Sequence, residues 1–244
     1  MTYNTLGIVL NYRDFGEFDR IYSILTRDHG KVDAWAQGIR KSKSKLVAHL
    51  QPLYLCDFMF AKGRRLDRVA QVVVKNRYAS LWSDLGKMSK AIYSTSLVEL
   101  ILRQGTKERM IFELLQTVMN LLEKGDGALE TMFALKLLKE AGFSPELNFC
   151  VLCKKRTEGI TRSFDAIRGG VLCSDCYIKS GSEALPVSSL TIETIESILT
   201  NPLTILEMPG TLIVEMKKVV NSMVSAHFGE DPKSRVFMDS LGQV

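Results

Sequence analysis

The chain has 244 residues and a formal net charge of +5, with 46% apolar and 24% charged residues. That balance belongs to a folded protein with a real core, and the length accommodates two modest domains or one large one. No run reaches the ~18 apolar residues of a membrane span, and the opening MTYNTLGIVLNYRDFGEF lacks the basic start and small-residue cleavage site of a signal peptide. A soluble, intracellular protein is expected, in a reducing compartment where paired cysteines serve metals more often than disulfides.

The charge is unevenly spread. Residues 1–80 hold fourteen Lys or Arg against seven Asp or Glu, a balance of +7, whereas the remainder holds eighteen against twenty. The basic character of the first third points to an anionic partner or to a solvated face without one.

In chain order, residues 5–76 read as short strands between turn signals: 6–12, 17–26, 31–37, 53–60 and 66–75. The last two flank a basic hairpin, Lys62-Gly63-Arg64-Arg65. Five strands without helical crossovers fit a small closed barrel such as the OB fold, although SH3-like barrels and small sandwiches read alike. From about residue 81 the period changes to helical. Stripes through Leu81–Leu102, Met110–Leu122 and Leu129–Leu137 stop at Gly105, Gly125 and Gly142, and 188–199 and 211–228 read as two further helices. The expected class is α+β: a barrel over 1–80, then an all-α domain over 81–244 with a cysteine module inserted at 148–178.

That module holds four of the five cysteines, as Cys150/Cys153 and Cys173/Cys176 with nineteen residues between the pairs. A Cys-x-x-Cys knuckle aims both sulfurs at one ion, and two knuckles complete a tetrahedral Zn2+ shell. Four thiolates leave no open position, so the zinc would be structural. No βαβ context supports a redox dithiol, and no HxE or HExxH supports a catalytic metal. Cys56, in an apolar strand, reads as a small core residue.

The anionic partner would meet GIRKSKSK at 38–45. If that run is extended, Lys41, Lys43 and Lys45 project to one side and can neutralise successive phosphates, with Arg40 beside them. Arg64 and Arg65 offer a second basic tip on the same barrel. Trp35 falls on the polar face of its strand, where an indole can stack on bases or pack under a neighbouring loop. Asp14, Glu17 and Asp19, interleaved with Arg13 and Arg20, read as mixed surface charge. No catalytic set emerges, since GxxxxGK[ST] and GxSxG are both missing from the sequence.

The residues also carry a resemblance. G-I-V-L at 7–10, F-G-E-F-D-R at 15–20, T-R-D-H-G-K at 26–31, GIRKSKSK and L-Q-P-L at 50–53 resemble the start of the RecO family. F-A-L-K-L-L-K-E-A-G-F-S-P-E-L at 133–147, GGVLCSDC at 169–176 and Lys233-Ser234-Arg235 continue it in the family's order. The resemblance implies an OB-fold barrel, a helical domain, a zinc module and a cytoplasmic bacterial mediator of the RecF pathway. Such a protein binds single- and double-stranded DNA, anneals strands, partners with RecR and the acidic tail of single-strand binding protein, and helps load RecA. Family members often carry Gly after the first knuckle, where this chain has Lys154. A reading of another class is an adaptor whose helical domain offers an acidic peptide a groove rimmed by Lys217, Lys218 or Lys233.

Overall fold

The alternating N-terminal segments fold into β1 (Thr2–Phe15), β2 (Asp19–Thr26), β3 (Gly30–Ala36), β4 (Leu55–Ala61) and β5 (Asp67–Asn76). The computed structural model describes residues 1–44, 46–103, 109–157, 162–180, 183–229, 232, 234–236 and 238. The strands close into a barrel in the order β1-β2-β3-β5-β4, with β4 returning to β1. Closure of five strands removes the open edges of a sandwich and gives an OB-like barrel.

β1 is long enough to serve two neighbours. Its first half pairs with β4, Thr2↔Ala61 through Ile8↔Leu55, and its second with β2, Gly7↔Thr26 through Phe15↔Asp19. A register shift between Val9 and Asn11 marks the bulge that bends it between them. The period-two inner face supplies Val9, Tyr22, Ile24, Cys56, Phe58 and Phe60 to the core, with Tyr54 half-buried at its margin. Space there is tight at Gly7, where an added Cβ would lie 2.8 Å from Ile24 Cγ2 and 3.1 Å from the Phe58 ring. The last joint is parallel and short: Ala34 faces Asp67 and Trp35 faces Arg68.

The chain divides into two compact units, Met1–Lys124 with Ser234–Val244, and Gly125–Lys233. The first therefore adds α1 (Ala79–Ser83), α2 (Leu85–Ile101) and α3 (Arg109–Lys124) to the barrel. Both α2 and α3 lie on β1, and the Lys31 ammonium donates to the Glu99 carbonyl of α2 at 2.9 Å. The stripe expected to run unbroken from Leu81 is interrupted at Asp84, which is extended and caps α2 by accepting the Lys87 amide at 3.0 Å. Gly105, the expected stop, lies outside the described residues.

In the second unit α4 (Leu129–Glu140), α6 (Ser189–Thr200) and α7 (Gly210–Phe228) pack on one another. The cysteine segment is more than two knuckles. It carries β6 (Arg162–Asp165), β7 (Gly170–Cys173), α5 (Ser174–Ser180) and β8 (Leu185–Val187), with the strands in the order β7-β6-β8. Among the described residues no helix is long and apolar enough to cross a membrane.

Candidate metal centre and nucleic-acid interface

The four cysteines meet, their sulfurs all within 4.8 Å of one another. The first knuckle is closed by the Lys154 amide donating to the Cys150 carbonyl and the Cys150 amide donating to the Lys155 carbonyl, both at 2.9 Å. Lys154 takes φ 61°, so the turn where the sequence resemblance led to an expectation of glycine is made here by a strained lysine. The second knuckle starts at the end of β7 and finishes in the first turn of α5. A Val151 amide bond to the Val171 carbonyl, 2.9 Å, ties the two together. Gly170 makes that approach possible, because a Cβ there would sit 2.5 Å from the Glu146 carbonyl oxygen.

The donor set fits a tetrahedral ion. Zinc–thiolate bonds of about 2.3 Å place two sulfurs about 3.8 Å apart across a tetrahedral edge, and Cys153 and Cys173 stand 3.8 Å apart. Burial works against the Cys150 thiolate, but amides of Cys153, Cys173 and Leu152 donate to it and bring it down to about 6. Burial and proton sharing with the other three thiols push Cys176 up to about 12. Four thiols this close ionise together only when a cation lies between them, so the cluster can hold a metal ion. Cys56 is buried apart from the cluster in the barrel core, where burial pushes its thiol up to about 12.

The basic loop after β3 is turned, not extended. Gly38 and Lys41 carbonyls accept the Lys41 and Ser44 amides at 3.1 and 2.8 Å, so period-two alternation does not govern its lysines. The cause is Ile39, which is buried in the barrel core and pulls the loop back onto the strands. Arg40, Lys41 and Lys43 are left exposed, while Lys45 lies outside the described residues. Two carboxylates that read as mixed surface charge fasten this loop. Asp19 accepts the Gly38 amide at 2.6 Å and the Trp35 indole N–H at 2.9 Å. Asp14 holds Arg20 at 2.9 Å and Arg40 at 3.4 Å. Trp35 is thus half-buried with its polar edge engaged.

Arg64 and Arg65 are exposed at the β4–β5 tip, which Asp67 shapes by accepting the Gly63 amide at 3.1 Å and the Tyr3 hydroxyl at 2.6 Å. The parallel joint sets Arg68 beside Trp35. Reading by strand alternation missed Phe15 and Phe18, 50% and 41% exposed around the β1–β2 turn. The signal was present in F-G-E-F, two aromatic residues flanking a turn. In the helical unit Lys217 is 3.1 Å from Glu130, a carboxylate only 1% exposed, so it is committed to an internal pair rather than to a groove rim. Lys233 lies outside the described residues.

Comparison with known proteins agrees with this architecture. Residues 1–78 match the family model for the recombination protein O N terminal region, and residues 83–236 that for its C terminal region. Similar proteins include the DNA repair protein RecO of Rubrobacter xylanophilus, 33% identical over 92% of each chain. That of Alkaliphilus metalliredigens is 36% identical over 72% of this chain and 73% of its own. The RecO of Symbiobacterium thermophilum is 31% identical over 98% of this chain and 97% of its own. A barrel with exposed loop cations, a cysteine cluster, and two family models that together span nearly the whole length place the chain in the RecO family of DNA repair proteins.

Proposed function

We propose that this chain binds single- and double-stranded DNA through the cations of its barrel loops, anneals complementary strands, and helps load recombinase onto DNA coated by single-strand binding protein. The observation that carries the reading is the anchored loop: Ile39 is sealed in the core while Arg40, Lys41 and Lys43 stay in water. Cations held in place screen phosphate repulsion without reading base sequence, and screening is what lets two strands meet. Arg64 and Arg65, exposed at the β4–β5 tip, add two further cations on the same barrel.

The activity is binding rather than catalysis. Four thiolates complete the shell of a structural Zn2+ that would cross-link the segments around β6 and β7. RecR, the acidic tail of single-strand binding protein and, indirectly, RecA are the partners that family membership suggests, in the bacterial cytoplasm and on the nucleoid when DNA is bound. The test is fluorescence-monitored annealing and DNA binding across a salt series, with zinc content measured on the same sample. Replacing Arg40, Lys41, Lys43 and Lys45 by Gln should flatten log K against log salt by up to roughly 0.7 per cation on single strands. An unchanged slope removes the loop from the interface.

A further inference from the structure

We infer that Phe15 and Phe18 form a base-stacking platform beside the basic loop, giving the barrel a preference for single-stranded over duplex nucleic acid. The inference rests on the DNA-binding reading above and deepens it. Both rings are large apolar groups standing in water, 50% and 41% exposed, on either side of a tight turn. They are built into the cationic surface. The Arg40 amide donates to the Phe18 carbonyl at 2.9 Å, the Lys41 ammonium lies 5.5 Å from the Phe18 ring centroid, and Arg40 reaches the Asp14 carboxylate, next in sequence to Phe15. Phe18 is therefore bonded to the loop that carries Arg40, Lys41 and Lys43, and Phe15 stands across the turn from it.

Charge divides the labour between the rings and the loop. Exposed Glu17, in the turn between the rings, disfavours a phosphate there, whereas Asp14 is already paired with Arg20 and Arg40. The exposed Lys41 and Lys43 draw the phosphate instead. What can meet the rings is the uncharged part of the nucleotide. Bases of a single strand present free π-faces, whereas a duplex keeps its faces stacked on each other. The cations act on both forms and the rings on one. Trp35, with its N–H committed to Asp19, is less free to take this part.

The experiment compares the full chain with its Phe15→Ala/Phe18→Ala and Phe15→Tyr/Phe18→Tyr variants. Each is titrated with oligo-dT, an abasic strand of equal length, and a duplex. The Ala pair should weaken oligo-dT binding about tenfold, leave abasic and duplex binding within about twofold, and keep the salt slope. The Tyr pair, which retains both π-faces, should bind like the parent. Equal losses on all three ligands, or no loss on oligo-dT, would overturn the platform. Should the Ala pair melt early, Phe18→Ala alone is read against the same three ligands. A parent chain with no salt-sensitive binding to any ligand is a different result: it refutes the DNA-binding reading itself.

Discussion

Replacing Asp19 by alanine removes a negative charge next to an array of cations, yet it should weaken DNA binding. Two bonds are lost, from the Trp35 indole at 2.9 Å and from the Gly38 amide at 2.6 Å. Hydrogen bonds to a charged acceptor contribute about 1.5–3 kcal/mol each, and the partial exposure of this pair argues for about 3 kcal/mol in total. Against that, removing one charge about 10 Å from a bound phosphate gains roughly 0.4 kcal/mol in water. The lost bonds lower folding stability and reach DNA binding only through loop disorder. That disorder costs about 1–2 kcal/mol for each backbone residue that must be fixed again, and so still exceeds the charge gain. For a chain of this size about 3 kcal/mol corresponds to a fall of roughly 6–12 °C in melting temperature. The loop, freed at Gly38, must then be ordered again whenever it meets DNA. Asp19→Asn should fall between, because its amide keeps one acceptor but turns an N–H2 toward the second donor. Thermal melting and a DNA titration on the same samples decide it. Tighter DNA binding by Asp19→Ala with an unchanged melting point would show that Asp19 acts there through its charge alone and refute the tether.

Three further outcomes follow from the packing. Gly7→Ala forces a methyl group against Ile24 and Phe58, at 2.8 and 3.1 Å. It should cost about 1–3 kcal/mol, read as a lower melting temperature; an unshifted transition would mean the barrel interior can relax. Lys154→Gly releases the strain of a lysine at φ 61°, worth roughly 1 kcal/mol. It should slow metal loss to a chelator, and faster loss would contradict the strain. Burial works against the Glu215 carboxylate, but the Thr191 hydroxyl and the Ser188 hydroxyl and amide donate to it and set it below the usual glutamate range. A depressed acid contributes stability that is full at neutral pH and is lost as pH falls through its folded value. Glu215→Gln should therefore destabilise the chain at pH 7 and melt closer to the parent in acid; a difference independent of pH would rule this out.

The strands were legible because a half-buried barrel writes its inside and outside alternately along the chain. Phe58, Phe60 and Cys56 could be assigned to the core that way. The cysteine cluster was legible from spacing, since a CxxC pair specifies its own local geometry. Other features depend on partners distant in sequence. Lys41 and Lys43 could be seen as cations, but the turned path of their loop follows from Ile39 finding the core. Asp14 and Asp19 looked like unremarkable surface charge because their partners, Arg40, Trp35 and Gly38, lie some twenty residues on. β6, β7 and β8 are three or four residues each, too short to show a period. The stripe crossing Asp84 hid a helix break because a capping residue leaves the apolar spacing on either side intact.

The barrel's strand pairs are unequal, and this bears on how it moves. Four of the five joints run for seven or more residue pairs, whereas β3 and β5 share only Ala34↔Asp67 and Trp35↔Arg68. A hoop with one short joint opens there first, because local opening follows the smallest set of contacts. The basic loop after β3 leaves from one side of that joint, and the β4–β5 tip enters from the other. A polyanion lying across both would act as a buckle on the hoop, so nucleic acid bound there would stiffen the barrel that holds it.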